Sequence, residues 1–116
     1  MCACRVRGEK VTGRKDDTSK PQLHLLLDFS QALTAVGEVA TFGAHKYAPG
    51  NWLHVSHGKD RYTSALLRHL LESANNDIDS ETGLNHLAHV AWNALAILEF
   101  QIREQQNKLK QNNADL

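Results

Sequence analysis

The chain has 116 residues, enough for one compact domain, and its 13 basic and 13 acidic residues balance at a sequence pI near 7.1. This balance excludes a general electrostatic attraction to polymeric nucleic acid or to an anionic membrane, so any phosphate binding has to come from a local site. No stretch approaches the roughly 18 apolar residues of a membrane span, and the first ten residues lack the apolar core of a secretory signal, so we expect a cytoplasmic protein.

The first 20 residues are basic, contain glycine and show no periodic apolar pattern. We therefore predict a flexible basic arm over residues 1–20 and one all-α domain over residues 21–116. Cys2 and Cys4 lie in this arm without a second cysteine pair. Because no second cysteine pair is present, we interpret them as reduced thiols without a role and not as part of a metal site.

The first helix is predicted over residues 22–42, where apolar residues recur at helical spacing. Thr18 or Ser19 is predicted to cap its start, and Gly43 is predicted to end it. Its apolar residues form one broad stripe: Leu25, Leu26, Phe29, Leu33, Val36, Val39 and Ala40.

A long loop is predicted over residues 43–60, because glycines and a proline interrupt the apolar pattern there. A loop longer than about 12 to 15 residues is more often functional or disordered than idle, and this loop carries aromatic residues, which argue against disorder. Tyr47 and Trp52 can stack on a nucleobase, and Asn51 can hydrogen bond to the edge of the base. The alternative for Trp52 is a hydrophobic plug over the helices.

Asp60 is predicted to cap a second helix over residues 61–74, and Asp79 or Ser80 to cap a third over residues 82–108. We expect the second helix to face the core with its apolar residues Tyr62, Leu66, Leu67, Leu70 and Leu71. Strand patterns are absent, so the predicted fold class is all-α, a bundle of three main helices. Three helices make a small core for one chain, so we expect self-association into a dimer or tetramer.

The third helix has two different faces when its residues are placed 100° apart. One face is an ordinary core face and holds Leu84, Leu87, Ala91, Ala94, Leu95, Leu98 and Ile102. The opposite face holds His86, His89 and Asn93, and it continues along the helix as Ile97 and Phe100. A solvent-facing side would not continue as apolar residues, so we predict that the histidines are at least partly buried and need polar partners.

Histidines and acids recur one helical turn apart on two successive helices, as His69-x-x-Glu72 and His86-x-x-His89. If the two helices face each other, these side chains can surround a divalent cation. Simpler interpretations stay open: Arg68 and Glu72 can form an exposed ion pair, and each histidine can be an ordinary core or surface residue. The basic residues that can reach a polyphosphate are Lys15, Lys20, Lys46, Arg61 and Arg68.

Four segments in order along the chain form a recognisable set: "GRKDDTSKPQL" at 13–23, "FGAHKYAPGNW" at 42–52, "RYTSALLRHL" at 61–70 and "DIDSETGLNHLAHVAWNAL" at 77–95. Together they resemble a phage family, the dATP/dGTP diphosphohydrolases, an offshoot of the MazG-like all-α nucleoside triphosphate pyrophosphatases. The resemblance implies a MazG-like bundle and a metal-dependent enzyme that cleaves dGTP or dATP into the monophosphate and pyrophosphate. If a phage encodes the chain, the expected location is the host cytoplasm. It also implies a supply of dGMP for phages that replace adenine by 2-aminoadenine in their DNA.

MazG-like enzymes carry Glu-x-x-Glu on one helix and Glu-x-x-Asp on the next. In this resemblance, His69-x-x-Glu72 takes the place of Glu-x-x-Glu, and His86-x-x-His89 takes the place of Glu-x-x-Asp. Carboxylates suit Mg²⁺, whereas imidazoles suit softer ions, so we expect Mg²⁺ or Mn²⁺ with Co²⁺ or Zn²⁺ as alternatives. Either the ion differs from that of the family, or acids including Asp79 and Glu81 supply the oxygen ligands while the histidines hold them or transfer protons. The resemblance implies the metal ligands Glu38, His69, Glu72, His86 and His89.

The predicted catalytic and substrate-binding residues form two further sets, and His69 belongs both to the metal ligands and to the catalytic set. The catalytic set is His69, Asp79, Glu81, Lys46, Arg61 and Arg68. The substrate-binding set is Lys20, Tyr47, Asn51, Trp52 and Asn93. Two rivals are an HD-type phosphohydrolase, disfavoured because the sequence has no His-Asp dipeptide, and a non-enzymatic helical phage protein that binds a host factor.

Overall fold

A computed structural model describes residues 13–114, and within them three α-helices carry the fold: α1 (Ser30–Lys46), α2 (Gly58–Ser73) and α3 (His86–Ala114). Short 3-10 helices span Leu23–Phe29 and Asn51–His54, and the described range contains no strand beyond one isolated bridge. The prediction of an all-α fold with three main helices is confirmed. No helix in this range is both long and apolar enough to cross a membrane.

The first predicted helix is divided in the structure. Its first two turns are the 3-10 helix, which has no side-chain cap, so the capping role predicted for Thr18 or Ser19 is wrong. α1 continues past Gly43 to Lys46, because the Gly43 carbonyl still accepts a hydrogen bond from the Tyr47 amide at 3.0 Å. The predicted helix end at Gly43 is therefore wrong by about one turn.

The second and third helices also start elsewhere than predicted. α2 begins at Gly58, and Asp60 lies within its first turn instead of capping it. A Cβ at Gly58 would lie 3.1 Å from the Phe100 ring, so the absent side chain allows α2 to approach α3 closely. α3 begins at His86, where the Asn85 Oδ1 accepts a hydrogen bond from the Leu87 amide at 2.9 Å.

The connection between α2 and α3 is a tight hairpin. Backbone hydrogen bonds join Asp79 to Leu84 at 2.8 Å, Gly83 to Asp79 at 2.7 Å and His86 to Asp77 at 2.8 Å. These bonds hold the chain out of the helix until His86. They explain why Asp79 does not cap a helix start and why the predicted start at residue 82 is wrong.

An aromatic cluster joins the loop after α1 to the α2–α3 pair. Trp52 contacts Trp92 and Phe100 edge-on, with ring centroids 6.0 and 5.2 Å apart, and Tyr62 contacts Trp92 at 5.5 Å. The Tyr62 hydroxyl donates a hydrogen bond to the Trp52 carbonyl at 2.8 Å. Such aromatic contacts are worth about 0.5 to 1.5 kcal/mol each beyond the area that they bury.

The polar side of α3 is the one that packs within the chain, because its buried residues are His86, Ala88, His89, Asn93 and Ala96. The prediction that the histidine side is covered is confirmed. The predicted core face is instead open in the single chain: Leu87, Leu95 and Leu98 are 56%, 53% and 48% exposed. α2 shows the same reversal, since Leu67, Leu70 and Leu71 are exposed.

Little apolar surface is buried by one chain. Among the described residues, the buried apolar side chains are Val39, Ala88 and Ala96. The predicted stripe on the first helix is mainly exposed, from Leu25 to Leu33. The radius of gyration is 19.9 Å, against about 13 Å for a compact domain of this length. The helices therefore form an open arrangement with several apolar faces unpaired.

Candidate metal centre

Four side chains from α2, the hairpin and α3 converge on one point. They are His69, Glu72, Asp79 and His86, and each offers one ligand atom, with all four atoms within 4.8 Å of one another. Opposite ligands of one ion lie about 4 to 5 Å apart, given bond lengths of about 2.0 to 2.6 Å. Two imidazoles and two carboxylates thus fit a single divalent cation in spacing and in chemistry.

The two imidazoles of this group approach each other closely. The Nδ1 atoms of His69 and His86 are 2.9 Å apart, and the His86 Nε2 lies 3.6 Å from the Glu72 carboxylate. His86 is 3% exposed, so its ring cannot turn to water for hydrogen bonds. Ring nitrogens at this separation either share one proton or present their lone pairs to a cation.

Asp79 is held by the residue three positions along the hairpin. Its Oδ2 accepts hydrogen bonds from the Thr82 amide at 3.1 Å and from the Thr82 hydroxyl at 2.7 Å. Burial of Asp79 alone would raise the pKa of its carboxyl. The Thr82 hydrogen bonds, together with the Glu81 backbone amide and His69, outweigh burial and lower the pKa below its ordinary value of 3.8. Asp79 is therefore a carboxylate at neutral pH, ready to bind a cation.

Burial lowers the pKa of His69 and of His89 below 6.5, and neighbouring histidines lower it further. The Asp79 carboxylate opposes this effect without reversing it. Both imidazoles are therefore neutral at pH 7, the state in which a ring nitrogen binds a metal or accepts a proton.

These pKa shifts predict an acid-sensitive fold. The unfolded chain takes up protons on His69 and His89 near pH 6.5, before the folded chain does, so the free energy of unfolding falls as the pH drops through that value. The lowered pKa of Asp79 acts only near and below pH 3.8 and does not contribute in this window. We expect the unfolding midpoint of chelator-treated protein to be level above about pH 7.5 and to decline toward pH 5.

Circular dichroism melts at several pH values would measure this decline. The His89→Gln variant should show a shallower decline, because its side chain does not titrate. A midpoint that stays constant between pH 8 and pH 5 would contradict the prediction.

The structure brings together most of the residues predicted to bind metal. His69, Glu72 and His86 belong to the group, and Asp79, predicted to be catalytic, supplies its fourth ligand atom. His89 lies beside the group, with its ring stacked on His69 at 4.3 Å and an interplanar angle of 7°. Glu38 lies exposed on α1 and outside the group, so a ligand role for it stays a prediction.

A cavity of about 1020 Å³ opens beside the metal-binding group; His69 belongs to both, and His89 also lines the cavity. Its size suits a nucleotide, since ligand cavities commonly measure about 300 to 1,000 Å³. Its lining includes the predicted residues Lys46, Tyr47, Asn51, Trp52, Arg61, Arg68, Glu81 and Asn93. Lys20 is exposed and does not line it, so its substrate contact stays a prediction.

The mouth of the cavity carries opposite charges from two different elements. Lys46 at the end of α1 lies 4.0 Å from the Glu81 carboxylate of the hairpin and 5.4 Å from the centre of the Tyr47 ring. Both charged side chains are well exposed, so their mutual attraction is weak and they are free to turn toward a ligand.

Sequence reasoning overlooked two residues of this site, Thr82 and Trp92. Thr82 joins Asp79 to His89 by its hydroxyl group. Its position three residues after an aspartate that breaks a helix is typical of a side-chain-capped turn, and this signal was available in the sequence. Trp92 lines the cavity and packs against Trp52, a contact that becomes visible only in three dimensions.

Comparisons with known proteins identify relatives. A family profile described as dATP/dGTP diphosphohydrolase, N-terminal, matches residues 10–110. The chain is 38% identical over 82 residues to a Salmonella phage PMBT28 protein named dATP/dGTP diphosphohydrolase. This match takes in 70% of the chain and 27% of the phage protein, so the chain spans about a quarter of that relative's length. No solved structure matches the chain.

Proposed function

Since the chain belongs to the family described as dATP/dGTP diphosphohydrolase, N-terminal, we propose that it hydrolyses dGTP or dATP to the monophosphate and pyrophosphate with a divalent metal ion. The observation that carries this proposal is that a metal-binding group and a large cavity lie side by side. The metal-binding group of His69, Glu72, Asp79 and His86 borders a nucleotide-sized cavity with cationic side chains. A triphosphate needs both features, because it binds as a metal complex and develops further charge as it is cleaved.

The metal-binding group would hold Mn²⁺ or Mg²⁺, with Mn²⁺ better matched to its mixture of imidazoles and carboxylates. When bound, such an ion polarises phosphate oxygens and lowers the pKa of a water molecule. Co²⁺ and Zn²⁺ suit the two imidazoles but match the two carboxylates less well.

The cationic side chains of the cavity would bind the polyphosphate. Arg61 and Arg68 project from α2 into the lining, and Lys46 enters from the end of α1. Arginine presents a planar pair of donors that matches two phosphate oxygens. These groups would neutralise negative charge on the departing pyrophosphate and so stabilise the transition state more than the ground state.

Glu81 is the residue best placed to accept the proton of the attacking water. Of the acids predicted to be catalytic, it is the one that lines the cavity and stands outside the metal-binding group. Its carboxylate is exposed and only loosely paired with Lys46, so it is available to a solvent molecule. The nucleobase would rest against Tyr47 and Asn51, since both residues line the cavity. Trp52 serves more as a structural support, because its ring packs between Trp92 and Phe100.

Product analysis tests the proposed reaction. Purified protein incubated with each deoxynucleoside triphosphate and Mn²⁺ or Mg²⁺ is expected to release pyrophosphate and the monophosphate from dGTP or dATP, and nothing in the presence of a chelator. Absence of turnover with every ion and nucleotide would reject the function. Orthophosphate with the diphosphate would reject the bond assignment, and tripolyphosphate would indicate the HD-type class.

We also propose that the domain self-associates, with a second copy covering six of the exposed leucines of α2 and α3 (Leu67, Leu70, Leu71, Leu87, Leu95 and Leu98). Within residues 13–114, one chain buries very few apolar side chains and is far more extended than a compact domain. Balanced charge means that identical copies do not repel one another.

A supply of dGMP for synthesis of 2-aminoadenine-containing phage DNA follows if dGTP is the preferred substrate.

A further inference from the structure

The hydroxyl of Thr82 sits at the centre of a small hydrogen-bonded network. Its Oγ1 lies 2.7 Å from the Asp79 Oδ2, 3.2 Å from the Leu84 amide nitrogen and 2.9 Å from the His89 Nε2. All three distances are within hydrogen-bond range. Asp79 and His89 are both buried, so each contact matters to a group that cannot turn to water.

A hydroxyl has one proton to donate and two lone pairs that accept. An ionised carboxylate accepts only, so the single proton of Thr82 has to go to Asp79. The Leu84 amide donates only, and it occupies one lone pair of the Thr82 oxygen. The second lone pair of the Thr82 oxygen is therefore the group that meets His89. Because a lone pair only accepts, the His89 Nε2 must carry the proton and donate it.

We infer that Thr82 is a positioning residue, which holds His89 as its Nε2–H tautomer and thereby removes the Nε2 lone pair of His89 from metal binding. His89 then supports the metal-binding group instead of joining it through this nitrogen. Its ring lies flat on His69 at 4.3 Å, and its carbonyl accepts a hydrogen bond from the Asn93 amide at 2.7 Å. One threonine thus orients a carboxylate ligand directly and an imidazole ligand through His89.

The inference rests on the metal-binding group of the proposed function but not on nucleotide hydrolysis, and the tautomer itself exists without metal or substrate. The first test is ¹⁵N nuclear magnetic resonance of histidine-labelled, chelator-treated protein near pH 7.5. The His89→Gln variant identifies the signals of His89. We expect a protonated-type shift for the His89 Nε2 and an unprotonated-type shift for its Nδ1. The reverse pattern would overturn the inference.

The second test replaces the hydroxyl. Thr82→Val keeps the shape and loses all three hydrogen bonds, Thr82→Ser keeps the hydroxyl, and Thr63→Val is the control. Thr63 donates to the Lys59 carbonyl at 2.7 Å on an exposed part of α2 outside the cavity. Groups that orient metal ligands typically contribute about 10- to 100-fold to affinity. We expect Thr82→Val to weaken Mn²⁺ binding by at least about 10-fold in titration calorimetry, and the other two variants to bind as the parent does.

Each outcome decides the inference. Parent-like Mn²⁺ binding by Thr82→Val, or a loss of binding in Thr82→Ser as large as that in Thr82→Val, would overturn it. If Thr82→Val does not fold, the spectrum of the parent protein and the Thr82→Ser titration still decide. If no nucleotide is hydrolysed, the proposed function fails, while the tautomer and the Mn²⁺ titrations are read in the same way.

Discussion

Replacing His86 by alanine is expected to abolish tight Mn²⁺ binding and, with it, hydrolysis of dGTP or dATP. Its two ring nitrogens face the two ligand residues of α2, His69 at 2.9 Å and Glu72 at 3.6 Å, so its removal takes one ligand from the metal-binding group. Residues that only orient a ligand contribute about 10- to 100-fold to affinity, so loss of a ligand should exceed about 100-fold. Calorimetric titration with Mn²⁺ and a pyrophosphate-release assay measure the two effects.

His45→Ala is the matched control for this variant. His45 lies exposed near the end of α1 and outside both the cavity and the metal-binding group, so its removal should leave metal affinity and turnover unchanged. Thermal unfolding of both variants in chelator separates loss of the ligand from loss of the fold. The proposed metal centre would be contradicted if a folded His86→Ala protein kept its Mn²⁺ affinity and turnover within about threefold of the parent. A threefold change corresponds to under about 1 kcal/mol.

Replacing Leu98 by aspartate is expected to separate the self-associated domain into single chains. Leu98 is 48% exposed on the open face of α3, where the proposed second copy covers it. A carboxylate buried there without a partner costs more than about 3 kcal/mol, which weakens association by at least about 100-fold. Light scattering coupled to size-exclusion chromatography measures the mass over a range of protein concentrations.

Asn107→Asp adds the same charge to the opposite side of α3, 180° around the helix from Leu98, and serves as the control. It should leave the mass at that of the parent protein. Because a single chain buries little apolar surface, we also expect Leu98→Asp to lower the unfolding midpoint more than Asn107→Asp does. A parent protein that is monomeric at every concentration would reject self-association outright.

The periodicity of the sequence predicts the three helices because amphipathic spacing is a local property. It also places His86, His89 and Asn93 on one side of the last helix, and the structure confirms that this side is buried. The helix ends were less predictable. α1 runs through Gly43, because one glycine costs only about 1 kcal/mol in a helix and the hydrogen-bonded turn continues to Lys46.

Which side of α3 faces the rest of the chain was not decided by periodicity. Both sides carry apolar residues, and a hydrophobic pattern does not distinguish packing within a chain from packing against a second copy. The leucine side looked like the core because it is the more apolar one. In the structure, Tyr62 and Trp52 select the other side by packing on Trp92 and Phe100.

By itself, the sequence determined the helical class, the family and the residue types that can bind a metal ion, because each depends on local spacing or on matching segments. Only the tertiary structure decided which of those residues meet. His69 and His86 are 17 residues apart along the chain, and the hydrogen-bonded hairpin carries Asp79 between them. That convergence comes from helix packing and from backbone hydrogen bonds across a turn, and neither leaves a periodic trace in the order of the residues.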